Sequence, residues 1–174
     1  MQPNLGALTI NNIPSFVFNN QRSRYFSCVK PHCGVCSYSS NKYFLKLSRS
    51  YDLLIKNNNN CDSKEFVYII NCLSCNACYI GESGRTVSLR IKEHLKSIDM
   101  FIPYIKHTPV SSHFNLLNHK KSDFSFLVYK SNLTQYERKF TERKLILIAT
   151  KLKVKLINLD IYSSLYLNNY NIYI

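Results

Sequence analysis

Acidic residues are scarce in this chain. Ten Asp and Glu stand against 23 Lys and Arg in 174 residues, a formal net charge of +13. That deficit favours an anionic partner, with nucleic acid ahead of a membrane surface or an acidic protein. It also makes each carboxylate notable, because few are available to hold a metal or move a proton. No apolar run approaches the ~20 residues a membrane helix needs, so no membrane partner is expected. Met1 to Ile10 lacks a basic n-region and a cleavage site. No secretory signal is therefore expected, and the chain is read as intracellular, nuclear in a eukaryotic host. No cysteine lies outside the interval from Cys28 to Cys78, and the seven there are odd in number. Short C-x-x-C pairs in an intracellular chain point to metal rather than disulfides. Internal repeats are absent, and the enrichment in Asn, Ile, Lys and Tyr is a compositional bias without an assigned role.

What remains is enough for one domain with a small appendage, since hydrophobic residues make up 45%. Residues 1–27, polar and Asn-rich with Pro3 and Pro14, are expected to be a poorly ordered lead-in. Residues 28–61 read as a cysteine-bearing linker module, with Tyr43 to Leu47 as a strand and Asn57 to Asn60 as a linker. The principal domain is expected over 62–160, and 161–174 is a Tyr-, Asn- and Ile-rich tail.

Within that domain, Glu65 to Asn71 and Cys78 to Gly81 read as strands joined by a hairpin, because Cys72 to Cys78 is too short for a helix. Thr86 to Ile98 is an amphipathic helix with Val87, Ile91, Leu95 and Ile98 on one face. Phe101 to His107 is a loop, Ser111 to Leu117 a short helix, and Phe124 to Tyr129 a third strand. Leu133 to Leu152 is a long helix that Thr134 caps with Glu137. The run Lys151 to Lys155 is expected as a basic tail helix. The fold class is therefore mixed α+β, a small three-stranded antiparallel sheet flanked by helices.

Tyr68 and Tyr79, with ten residues between them, stand on the two strands of the hairpin, so both can reach one site. Arg90 and His94 are four apart and share one flank of the first helix. Glu142 lies mid-helix among Arg138, Lys139, Arg143 and Lys144. Singly, each is commonplace: a strand tyrosine, a solvated arginine, a surface histidine, a glutamate paired with Arg138. Their order is not. Phe66-Val67-Tyr68, Tyr79-Ile80-Gly81 followed by Glu82-Ser83, Arg90-x-x-x-His94, Glu142 before Leu145-Ile146, and Ile157-Asn158 resemble the successive motifs of the GIY-YIG nuclease superfamily. The endonuclease domain of Penelope-like retroelements is closest, where a bulky residue often stands at the position of Phe66.

That resemblance implies the GIY-YIG fold over about 61–158 and metal-dependent cleavage of DNA. Glu142 would bind one divalent cation, Mg²⁺ by default or Mn²⁺. Tyr68 would act as general base or orient the attacking water, its pKa brought down by the metal and Arg90. Arg90 would hold the scissile phosphate. Tyr79 and His94 would assist by hydrogen bonding or proton transfer, with His94 near its titration range at pH 7.

The resemblance also implies a structural tetrahedral Zn²⁺ held by Cys72, Cys75, His113 and His119. Cys78 could stand in for Cys75, and His107 is a weaker alternative. Upstream, Cys28, Cys33, Cys36 and Cys61 could hold a second zinc, with His32 as a spare ligand. The partners implied are DNA and a reverse transcriptase of the same element, with cleavage nicking the target for insertion. Two alternatives stand beside this: a zinc-stabilised nucleic-acid-binding module without catalysis, and a GIY-YIG nuclease of repair or recombination.

Overall fold

The computed structural model describes residues 28, 30, 33–40, 44–48, 51–55 and 58–158. The expected 1–27 lead-in, the 161–174 tail and His32 lie outside the described residues. Upstream of the main sheet, two strands, β1 (Phe44–Ser48) and β2 (Tyr51–Leu54), form an antiparallel pair of their own. The sequence signalled the first of these but not its partner.

β3 (Phe66–Cys72) is the centre of the main sheet, between β4 (Cys78–Ser83) and β5 (Phe124–Lys130), antiparallel to both. Its residues from Phe66 to Ile70 are all fully buried. A strand covered on both faces needs apolar side chains at every position rather than at alternate ones. Alternation then divides them. Phe66, Tyr68, Ile70 and Cys72 enter one core with Val87, Ile91, Leu95 and Ile98 of α1 (Val87–Asp99) and Val110 and Phe114 of α2 (Pro109–Phe114). Val67 and Ile69 enter a second core with Leu145 and Ala149 of α3 (Gln135–Lys151). The sheet thus lies between α1 with α2 and α3, which is the expected mixed α+β arrangement.

Local chemistry sets the helix ends. The Thr86 hydroxyl accepts from the Leu89 amide, and the next unsatisfied amides, Val87 and Ser88, donate to the carbonyls of Ser63 and Cys61 at 2.9 Å. Thr134 and Glu137 form the capping box expected for α3. α2 begins earlier than its sequence suggested. Ser111 is not its first residue but the reciprocal partner of the Thr108 cap, with Pro109 in the first turn.

The expected helix over Lys151–Lys155 does not form. Lys153 takes a left-handed φ of 56° and its amide bonds the Thr150 carbonyl, which ends α3 without a glycine. The chain then runs beside β4: Cys78 donates to Lys155 O at 2.9 Å and accepts from Ile157 N at 2.7 Å. The Asn158 carboxamide brackets Ile80, accepting from its amide at 2.8 Å and donating to its carbonyl at 2.6 Å. At the other edge, Ser40 N donates to Phe126 O at 2.7 Å and Tyr38 packs edge-on against Phe124. Val35 and Cys61 sit inside the first core, so the cysteine segment packs directly on α1 and the sheet. Asn59, in the expected linker, is buried.

Candidate active site and metal centres

The hairpin register places Tyr68 opposite Gly81 and Ile70 opposite Tyr79, so both tyrosines project from the α1 face of the sheet. Their rings lie 6.3 Å apart, and each meets the His94 ring edge-on, at 5.6 Å for Tyr68 and 5.7 Å for Tyr79. Gly81 is the residue beneath them. A Cβ there would come within 2.7 Å of the Tyr68 ring and hydroxyl and 2.8 Å of the Tyr79 ring, closer than carbon atoms approach. The phenols occupy the space that any side chain at 81 would need.

Arg90 Nε donates to the Tyr68 oxygen at 2.9 Å, and that oxygen lies 2.8 Å from His94 Nε2. With Arg90 donating into it, the Tyr68 hydroxyl can still direct its own hydrogen to His94 in the tautomer whose Nε2 is unprotonated. Glu93 braces the guanidinium from the far side, bonding Arg90 Nη1 at 3.2 Å and also pairing with Arg85. The structure therefore brings Tyr68, Tyr79, Arg90 and His94 into one cluster.

One expectation about protons, that for His94, is corrected; for Tyr68, burial outweighs the expected lowering by Arg90. Burial raises the Tyr68 hydroxyl well above the ordinary phenol range, followed by the neighbouring Tyr79, and Arg90 offsets only part of this. Among the protein's own groups, the balance therefore holds Tyr68 as a neutral phenol. His94 is not near its titration range at pH 7: burial, then the Arg90 charge, brings it down to about 3. A fully enclosed imidazole beside a guanidinium stays neutral, and the sequence does not show that enclosure.

Glu142 is half-buried on α3. Burial raises its carboxyl, and the charge of Glu82 raises it further; the nearby Glu82 backbone amide pulls the other way. The same carboxylate acts on both Tyr68 and Tyr79 electrostatically. A half-buried acid facing another acid is a favourable place for a hard cation, so the donor chemistry fits Mg²⁺ or Mn²⁺. Glu142 does not pair with Arg138. That arginine, 8% exposed, instead sets Nε 2.7 Å from Glu65 and bonds Glu82 through Nη1. Arg138, Glu65 and Glu82 carry no role in the sequence reading; an arginine on the otherwise apolar buried side of α3 was the available signal.

The cysteines and histidines fall into two groups that could hold metal ions. Cys28, Cys33, Cys36 and Cys61 place all four sulfurs within 4.8 Å of one another, with contacts of 3.4 to 3.6 Å. All are free thiols, and these separations far exceed the ~2.05 Å of a disulfide. Four thiolates around zinc at ~2.3 Å would stand about 3.8 Å apart, so the cluster fits a tetrahedral ion with a shift of a few tenths of an ångström. The backbone amide of Val35 foremost brings Cys33 down to about 6, toward the thiolate that a metal ligand requires.

In the second group, Cys72, Cys75, His113 and His119 also lie within 4.8 Å. Cys75 Sγ is 3.5 Å from His113 Nε2, the edge of about 3.5 Å that a shared tetrahedral zinc would give. His119 Nδ1 lies 3.1 Å from Leu117 O, while its Nε2 is buried with no hydrogen-bond partner. A buried imidazole lone pair aimed into a Cys₂His group is what a metal would satisfy. Cys78 is not part of this group, because it packs into the second core on the opposite face of the sheet. His107 is also outside it and lines a cavity of about 210 Å³ with Phe101, Pro103 and Leu116.

No protein-family model, no curated protein and no solved structure matches this chain.

Proposed function

We propose that this protein is a metal-dependent DNA endonuclease of the GIY-YIG type, stabilised by two zinc ions. The observation that carries this reading is the Tyr68 oxygen, bonded at once to Arg90 and His94, with Tyr79 beside it and Glu142 within electrostatic reach. Phosphodiester cleavage requires a proton acceptor for water, a cation for the phosphate and a means of stabilising charge on its oxygens. Arg90 keeps its side chain 31% exposed and presents guanidinium donors at the mouth of the cluster. A divalent ion at Glu142 would supply Lewis-acid stabilisation when bound.

Because Tyr68 resists ionisation, it works best as a relay. With His94 in the tautomer whose Nε2 is unprotonated, the Tyr68 oxygen accepts a proton from water as its own hydrogen passes to Nε2. Arg90 is the second cause of His94's low basicity. A scissile phosphate seated on Arg90 would offset that charge and raise His94 when the proton arrives. The net charge of +13 suits DNA as the polyanion. By the same family resemblance, the cut is a nick in target DNA that primes insertion of a retroelement, with a reverse transcriptase as partner.

Relaxation of supercoiled plasmid tests this directly. Wild type should nick in Mg²⁺ and stop with chelator, while Glu142→Ala and Arg90→Ala should each lose at least ~100-fold in rate. Equal nicking by both variants would overturn the assignment. Plasmid binding without nicking by wild type would favour the non-catalytic zinc-stabilised module.

A further inference from the structure

Arg138 has been given no function so far, yet it is the most enclosed cation among the described residues. We propose that Arg138 is a positioning residue for Glu142, acting through Glu82 and Glu65 to fix α3 in register with the two tyrosine-bearing strands. The inference rests on the nuclease reading above and extends it to how the metal-binding carboxylate is held.

The geometry is that of a hub. Arg138 Nη1 bonds the Glu82 carboxylate on β4, and Nε lies 2.7 Å from Glu65 Oε2 at the entry to β3. Each partner is close to a residue of the proposed site. Glu65 is three residues before Tyr68, Glu82 adjoins Gly81, and Glu142 is one helical turn beyond Arg138. Glu82 is tied to α3 through its carboxylate, which takes Arg138, and it lies near enough to act on the Glu142 carboxyl electrostatically. The two ion pairs of Arg138, one to the entry of β3 and one to β4, hold the helix against both strands.

The surroundings are shaped for this hub. Glu65 takes a left-handed φ of 52°, and its carbonyl receives the Leu133 amide at 3.0 Å, which ties the start of β3 to the approach to α3. Gly84 gives the guanidinium room, since a Cβ there would meet Arg138 Nη2 and Glu65 Oε1 at 3.2 Å. Arg138 also keeps the Glu82 side chain engaged. Without it, a second carboxylate would be released beside Glu142, changing both the place and the charge of the cation site.

Zinc-loaded wild type, Arg138→Met and Arg138→Lys test this by Mn²⁺ binding, followed by electron paramagnetic resonance, alongside plasmid nicking in Mg²⁺. Arg138→Met should weaken Mn²⁺ binding about tenfold to a hundredfold with zinc content unchanged, and nicking should fall with it. Arg138→Lys, which keeps the charge but loses the planar fork, should recover part of both. If the Met variant does not fold, the Lys variant decides, with a severalfold loss of Mn²⁺ affinity expected. Wild-type Mn²⁺ affinity in a folded variant overturns the hub alone. A folded wild type that neither binds Mn²⁺ nor nicks overturns the nuclease reading and the hub with it.

Discussion

At position 81 the absence of a side chain is what lets two phenols share one place. A methyl group would need the volume now filled by the Tyr68 hydroxyl and the Tyr79 ring. Gly81→Ala should therefore leave the fold and the zinc sites intact but push Tyr68 off its bonds to Arg90 and His94. Displacement of a reacting group by about 1 Å costs on the order of 100-fold, and nicking kinetics beside zinc analysis would read it. Comparable nicking by the Ala variant would show that the tyrosines do not need this packing. Gly81 was legible in the sequence only as part of a motif; the crowding that explains it depends on strand register. His94 differs in kind. Its helix position could be read four residues from Arg90, but its enclosure by two aromatic rings and a guanidinium is a property of the assembled core, so its proton chemistry could not be read.

At the scale of elements, periodicity and capping located most of the structure. Thr86 and Thr134 mark the starts of α1 and α3, and the hydrophobic runs mark β3, β4 and β5. What escaped was non-local or lacked its usual residue. β2 was missed because Tyr51-Asp52-Leu53-Leu54 is short, and α3 stops at a left-handed lysine where a glycine would have signalled the end. Cys36 and Cys61 are distant in sequence, yet their sulfurs are 3.4 Å apart, as the proposed four-cysteine site requires. The two clusters span different elements. One joins the 28–36 segment to the residues capping α1, and the other joins the β3–β4 turn to α2 and the approach to β5. Elemental analysis should find two zinc ions per chain in wild type and one each in Cys61→Ser and Cys72→Ser. An unchanged zinc content in either variant would remove that site. Loss at Cys61 should also reduce nicking, because the Cys61 carbonyl holds the first turn of the helix carrying Arg90 and His94.

Across the whole molecule, one sheet carries a catalytic candidate on its α1 face and receives its carboxylate from the helix on the other. β4 makes that possible because it is an edge strand. An unprotected edge is also where sheets recruit foreign strands, through amides and carbonyls left pointing outward. Here those groups are occupied in succession: Cys78 by Lys155 and Ile157, and Ile80 by the Asn158 carboxamide. The edge nearest the site is thus closed to strand addition along these residues. Copies of the chain cannot zip together there, and a partner has to be met by side chains and charge rather than by extending the sheet.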